Sequence, residues 1–317
     1  MLTVLMATRN RAPTLRDVLA SYGRPQQPSS GWKLVVIDNG STDETATVIA
    51  SFKSRLPIQF ASEPRSGKNY ALNTGLDLVD GDLVVFTDDD AFPRPDWLVQ
   101  LREVADTQAA YSMFGGAIVP RWEVPPPRWI EWLDVRPVYT ISSPELKAGP
   151  IHSSLVFGPN MAVRAGILES GIRFNPYMGP RGTTYPMGSE TEFTLRLEQQ
   201  GHKAWFAPSA IVEHYIRKSQ LTKSWVMQRA VRFGRGQYRL CFAEEAKTRK
   251  LLLGMPRYLF REIYNEGLLF AKAWLSRRHE DLFRSRWRLN FLRGKAIEAR
   301  ILVRELYGQE QSSPFKA

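Results

Sequence analysis

The chain has 317 residues, 43% of them hydrophobic, enough for one large domain with a substantial appendage and too apolar for wholesale disorder. A single cysteine, Cys241, excludes an internal disulfide and a cysteine metal cluster and points to a reducing compartment. The net charge of +11 is unevenly placed: residues 216–317 hold 23 of the 43 Lys and Arg but 9 of the 32 Asp and Glu, so a slightly acidic front precedes a strongly basic back, and the two predict different tasks.

The opening apolar run, residues 2–7, is too short for a signal peptide and reads as a first buried strand. Residues 13–22 follow as a helix with Pro13 in its first turn. The run KLVVI (33–37) predicts a strand ending at Asp38-Asn39-Gly40, after which Ser41 or Thr42 caps a helix. A third strand falls at 58–61, a helix at 68–78, and a fourth strand, LVVFT (83–87), ends on Asp88-Asp89-Asp90. This alternation predicts an α/β fold, a mostly parallel sheet flanked by helices on both faces. Ligands of such sheets sit at the carboxyl ends of the strands, where Asp38 and the three aspartates fall.

Residues 115–150 carry Trp122, Trp129, Trp132 and a proline-rich patch and predict an irregular, mobile segment. The core resumes at 155–163, a Gly/Pro-rich stretch covers 171–188, a helix covers 190–200, and 204–208 and 211–214 read as two closing strands. Beyond about Lys218 apolar clusters interleave with Arg and Lys at helical spacing. No uninterrupted apolar stretch approaches the roughly 20 residues of a membrane-spanning helix.

Three adjacent carboxylates at a sheet end repel one another and call for a cation, and a hard divalent ion with oxygen ligands answers that need. The same run also reads as a solvated acidic loop capping the helix near Trp97. Asp38 can accept hydrogen bonds from base or ribose, or can be an ordinary turn residue. Gly67-Lys68 at a helix start forms an anion site without the full phosphate-loop motif. Glu190 and Glu192 open a helix, either as dipole complements or as a general base, and His214 is either a core-edge histidine or a metal ligand.

In order, Ala7-Thr8-Arg9-Asn10, Asp38-Asn39-Gly40-Ser41-Thr42-Asp43, Gly67-Lys68 with Ala71-Leu72-Asn73-Thr74-Gly75, Asp88-Asp89-Asp90, Gly158-Pro159-Asn160-Met161-Ala162, Gly188-Ser189-Glu190-Thr191-Glu192-Phe193 and Val212-Glu213-His214 resemble the motifs of family-2 glycosyltransferases. The resemblance covers residues 2–214 and implies the GT-A fold. It implies a catalytic domain over 1–217, with a nucleotide-sugar-binding half (1–110) and an acceptor-binding half (111–217), and leaves 218–317 as a basic amphipathic helical extension.

It also implies roles. Ala7, Thr8, Arg9, Asp38, Lys68, Asp88 and Asp89 line the nucleotide-sugar pocket. Asp88, Asp90 and His214 bind the metal, Mn2+ or Mg2+. Asn160 and Glu192 belong to the acceptor or donor-sugar pocket. Where the family usually has Gly-Glu-Asp, this chain has Gly188-Ser189-Glu190, so the base falls on Glu190, with Glu192 as the alternative. The implied reaction is an inverting transfer from a nucleoside-diphosphate sugar to a hydroxyl of a glycan or lipid-linked acceptor, in cell-surface polysaccharide synthesis. The basic tail suggests peripheral contact with an anionic membrane surface on the cytoplasmic side, or a helical subdomain packed on the catalytic domain. Competing readings are an impaired relative that only binds nucleotide, and nucleic-acid binding by the tail, which leaves the acidic motifs unexplained. A sugar-phosphate nucleotidyltransferase is disfavoured, because the first strand leads into no glycine-rich loop.

Overall fold

The computed structural model describes residues 1–23, 26–134, 136–182, 184–242 and 250–312, with side chains through Glu305. Packing divides them into two units. The first comprises Met1–Glu123, Tyr139–Gly182 and Ser189–Arg217; the second comprises the described residues of Val124–Val138, Thr183–Gly188 and Lys218–Ala317.

The first unit is built on one sheet. Strands β1 (Leu2–Thr8), β2 (Trp32–Asp38), β3 (Ile58–Ser62) and β4 (Leu83–Asp88) are parallel in the order β3-β2-β1-β4. Each apolar run serves both faces at once. Leu2, Val4, Met6, Leu34, Val36, Leu83 and Val85 share one core with helices α1 (Ala12–Tyr22), α2 (Thr45–Phe52) and α4 (Trp97–Thr107). The alternate residues Leu5, Ala7, Val35, Ile37, Val84 and Phe86 share another with α3 (Lys68–Leu76) and α6 (Ser189–Gln199). A strand covered on both faces has no polar side, which is why these runs lack alternation. Helix α3 stops two residues short of the predicted 78. Its Gly75 lies so close to β1 that a Cβ would come within 2.2 Å of Leu5 Cδ1.

Beyond β4 the direction changes. β8 (Met161–Arg164) is antiparallel to β4, β6 (Met113–Trp122) is antiparallel to β8, and β9 (Ala204–Ile216) is parallel to β6. The short β5 (Ala91–Pro93) and β7 (Gly149–Ile151) both pair antiparallel with β9. The two predicted closing strands are therefore one. Their apparent break is a register shift, from Gly116↔Ala207 to Ala117↔Ile211, that leaves 208–210 outside the ladder. The Asn160 side chain fills the gap, donating from Nδ2 to the carbonyls of Ala117 and Ala210, both at 2.8 Å. A Cβ on Gly116 would meet that Nδ2 at 2.2 Å. Residues 115–150 are more regular than predicted. They hold most of β6, a helical turn at Arg128–Trp132, the one-turn helix α5 (Arg136–Tyr139), and β7.

The second unit consists of α7 (Lys223–Phe242), α8 (Arg257–Leu275), α9 (His279–Ser312) and a small hairpin of β10 (Leu251–Leu252) and β11 (Met255–Pro256). Its extent differs from a single boundary at 217/218. Trp129 and Trp132 pack on Phe283, and the Met187 amide donates to the Arg232 carbonyl, so two earlier segments join it. Helices α7 and α9 cross on reciprocal glycines. A Cβ on Gly234 would lie 1.9 Å from the Phe291 carbonyl oxygen, and one on Gly294 would lie 2.1 Å from that of Val231. Some of the basic excess is internal. Arg235 and Arg239 clamp the fully buried Glu298, and Lys295 lies over the rings of Phe242 and Tyr258.

Candidate active site

The parallel register sets Thr8 beside Asp38 and Ala7 beside Asp88, so the carboxyl ends of β1, β2 and β4 form one acidic edge. Thr8 Oγ1 donates to Asp89 Oδ2 at 2.7 Å, and Arg11 Nε lies 3.8 Å from Asp89 Oδ1. Ala7 is buried in the sheet, and the exposed Arg9 donates to Ser66 Oγ at 2.6 Å. Asp38 accepts from the amide and hydroxyl of Ser41.

Asn39 ties the neighbouring loop to this edge. Its Nδ2 donates to the carbonyls of Glu63 and Arg65, and its Oδ1 accepts from the Gly67 amide at 2.8 Å. Gly67 has φ 140°, a conformation that glycine alone adopts readily, and it starts α3 with Lys68 facing the sheet edge.

Lys68 Nζ sits between two carboxylates, 2.6 Å from Asp88 Oδ1 and 2.7 Å from Glu190 Oε1. Leu72, Phe86, Gly158, Met161 and Phe174 line the same cleft. Burial would raise the Glu190 carboxyl, but the Lys68 charge, its hydrogen bond, the helix backbone and the Ser189 hydroxyl outweigh burial and hold it down to about 2. Glu190 is therefore ionised. Asp88 is pushed up, by burial first and then by the like charges of Glu190 and Asp90, against the pull of Lys68. Asp89 is pushed up to about 7 by burial and by Asp90.

Asp90 has different partners. His214 Nε2 is 3.4 Å from its Oδ1 and Arg217 Nη2 is 3.0 Å from its Oδ2. These hold its carboxyl below the ordinary range despite burial, and Asp90 in turn raises His214 against burial. The His214 ring donates from Nδ1 to the Tyr139 carbonyl at 2.6 Å, which fixes the tautomer and leaves Nε2 toward Asp90. Strand pairing supports the contact, because Ala91 lies opposite His214 and the Tyr215 amide donates to the Asp90 carbonyl.

Two predicted residues are placed elsewhere. Glu192 is engaged by Arg196, with Nε to Oε1 at 2.6 Å, one helical turn along α6. Asn160 is fully buried, and its whole amide serves the β9 gap and the Trp97 indole N–H, leaving it nothing to offer a sugar. The acidic run does not cap α4, whose N-cap position is Asp96. Sequence reasoning missed Arg217, Arg11 and Asn39. Asn39 stood in the quoted motif, but its three backbone partners come from 24 to 28 residues away and no local pattern announces them.

A parallel sheet whose strand ends gather carboxylates, one lysine and a helix start has the ligand-site architecture of an open α/β fold. Residues 3–170 match the family model described as glycosyl transferase family 2, and the chain belongs to that family, with the GT-A fold. It is a glycosyltransferase. It is similar to glycosyltransferase AglE of Haloferax volcanii, at 22% identity over 87% of this chain and 89% of that one. Another relative is the glucosyl-dolichyl phosphate glucuronosyltransferase of the same organism, at 22% identity over 68% of each chain. Among solved structures, the mannosyltransferase PcManGT from Pyrobaculum calidifontis, in complex with GDP-Man and Mn2+, shares the fold. Its TM-score is 0.61 at 20% identity, over 97% of this chain and 87% of that one.

Proposed function

We propose that the protein transfers a hexose-type sugar, with inversion, from a nucleoside-diphosphate sugar to a hydroxyl of a glycan or lipid-linked acceptor in cell-surface polysaccharide synthesis. The observation that carries this reading is Lys68 held between Asp88 and Glu190: a cation for a diphosphate and an ionised base share one cleft. The names of relatives point the same way, since one is named for a glucosyl-dolichyl phosphate and one solved neighbour holds GDP-Man.

Each residue then has a task. Asp38 accepts hydrogen bonds from the base, and Ala7, Thr8 and Arg9 shape the pocket beside it. Asp88 and Asp89 face the ribose and the donor sugar. Lys68 meets the diphosphate and balances the charge that grows on it as the sugar departs. Glu190, already deprotonated, accepts the acceptor's hydroxyl proton as that oxygen attacks the anomeric carbon from the opposite side. Movement of Lys68 toward the diphosphate frees Glu190 from its ion pair.

A divalent cation, Mn2+ or Mg2+, belongs to this reading. The donor set suits it: Asp88 and Asp90 are hard oxygen ligands, and His214 presents Nε2 because a backbone carbonyl takes its other ring proton, as metal-binding histidines commonly do. Among the described residues no three such side chains are already gathered around a metal position, since Lys68 and Arg217 take up the carboxylates. When bound, the cation supplies charge stabilisation to the leaving diphosphate.

No helix among the described residues is long and apolar enough to cross a membrane. In this reading the enzyme meets its acceptor as a peripheral protein on an anionic, cytoplasmic membrane face.

Thermal melting against UDP, GDP, dTDP and CDP, each with and without Mn2+, tests the site. A ligand that binds only folded protein raises Tm by mass action. The reading expects a metal-dependent shift with one nucleotide that Asp90→Ala abolishes. A folded sample that shifts with none of them overturns it.

A further inference from the structure

Among the described residues, most of the large exposed apolar side chains lie on one short stretch. Leu252, Leu253, Tyr264, Leu268, Leu269, Trp274 and Leu275 are all exposed, Leu253 by 74% and Leu275 by 73%. Five of the seven are on α8. Only Leu259 and Ala273 of that helix are buried.

The exposed residues are not scattered. Arg257, Arg261, Tyr264, Leu268, Lys272 and Leu275 succeed one another at steps of three or four and form one continuous exposed ridge. Leu269 and Trp274 flank it. Arg277 and Arg278, also exposed, follow its end. The helix's two acidic residues stay off the ridge. Glu262 faces Arg288 and Lys295, and Glu266 is half-buried. The hairpin just before α8 adds a second sign. Its turn places Leu253 at φ 50°, a conformation unfavourable for a branched residue, and the Arg300 guanidinium holds it there through the Leu253 carbonyl.

We infer that α8 and the Leu252-Leu253 turn are a membrane-docking surface whose partner is an anionic lipid bilayer. This deepens, and rests on, the peripheral-membrane part of the proposed function. Leu, Tyr and Trp between Arg and Lys match the two layers of a bilayer interface, acyl chains below and anionic headgroups above. A second copy of the chain is a poorer occupant. Pairing the ridge with itself would bring one row of Arg and Lys against another with no carboxylate between.

Co-sedimentation with vesicles tests this, comparing phosphatidylcholine alone with phosphatidylcholine containing phosphatidylglycerol, at low and high salt. The wild-type chain is expected to pellet with the anionic vesicles only, less so at high salt. The Leu268→Glu/Leu275→Glu variant lowers the partition coefficient by about tenfold or more. Arg261→Glu/Lys272→Glu, at two exposed positions, lowers it comparably and weakens the salt dependence, which keeps the test valid if the leucine variant misfolds. Wild-type protein that stays in the supernatant, or variants that pellet like wild type, overturns the inference. So does a concentration-dependent dimer that the leucine variant disperses without any vesicle binding. Nucleotide binding by the same samples is read separately, so failure of docking is distinguishable from failure of the transferase reading.

Discussion

Lys68 and Glu190 are 122 residues apart in the chain, and their side chains meet at 2.7 Å across the cleft. The contact keeps Glu190 charged in a place where burial alone would protonate it. Glu190→Gln removes the charge with little change of shape. Release of nucleoside diphosphate from the preferred donor is expected to fall by about 10²–10⁴-fold, the usual range for loss of a general base. Glu192→Gln, which disturbs only a pair with Arg196, should stay within a few-fold of wild type.

Replacing Lys68 by Met leaves two carboxylates facing each other without a cation. The Glu190 pKa is lowered by Lys68, so removing the lysine raises it. In the free enzyme, where Lys68 still pairs with Glu190 and holds its carboxyl down to about 2, kcat/KM should show no acidic limb from Glu190 near neutrality. In the variant the acidic limb should climb toward neutral pH, with the residual rate better preserved at alkaline pH. A pH–rate profile with an unchanged acidic side would refute this account of the pair.

Asn160→Ala should cost folding stability rather than sugar recognition. It strips partners from the half-buried Ala117 carbonyl and from the buried Ala210 carbonyl and Trp97 indole, at a cost of about 3 kcal/mol. Urea unfolding measures that loss, and the nucleotide Kd of the folded fraction should not move.

Glu63 offers a pH test away from the cleft. It is buried at 3% exposure, and its carboxyl is held down to about 2, first by its hydrogen bonds with Arg65 and also by Thr74. The folded value lies below the unfolded one, so its contribution is present above about pH 4.5 and is lost as pH falls through 2. Arg65 is largely in solvent, which limits the contribution to about 1–2 kcal/mol. Glu63→Gln should be less stable by that amount at pH 7, and the gap should narrow below pH 3.

The second unit predicts a reversal of sign. Gly267 in α8 has open space where a Cβ would go, so Gly267→Ala should stabilise by about 0.5–1 kcal/mol through helix propensity. Gly234→Ala makes the same local change where a backbone carbonyl already stands, and should destabilise by 1–3 kcal/mol, roughly the cost of overpacking. Equal shifts in Tm for the two variants would mean the helices do not cross as described.

The sequence made the parallel half of the sheet legible because each of its strands is a short apolar run ended by polar or turn residues, and those ends lie within a residue or two of their predicted places. It concealed β9, since the ladder is interrupted at 208–210 and the residue that heals it, Asn160, lies some fifty positions earlier. The carboxylates at Asp88-Asp89-Asp90 stand out in a linear text. Lys68, from the start of α3, is already grouped with them by the family resemblance, whereas Arg217, from past the end of β9, becomes apparent only when the strand ends are brought side by side. The limits of the second unit were hidden because aromatic packing of Trp129 and Trp132, with no repeating pattern, recruits an early segment to it.

Asn39 fastens residues 63–67 through three backbone hydrogen bonds before any ligand arrives. Ordering a loop of that length costs on the order of 1–2 kcal/mol per residue in conformational entropy. Here that cost falls within the folding transition. The anion proposed to dock at Lys68 would meet a loop already in its final shape, so little of its binding free energy would be diverted into organising the protein. In Asn39→Ala the same entropy would be transferred to the binding step, and affinity would weaken although no atom that touches the anion had been changed.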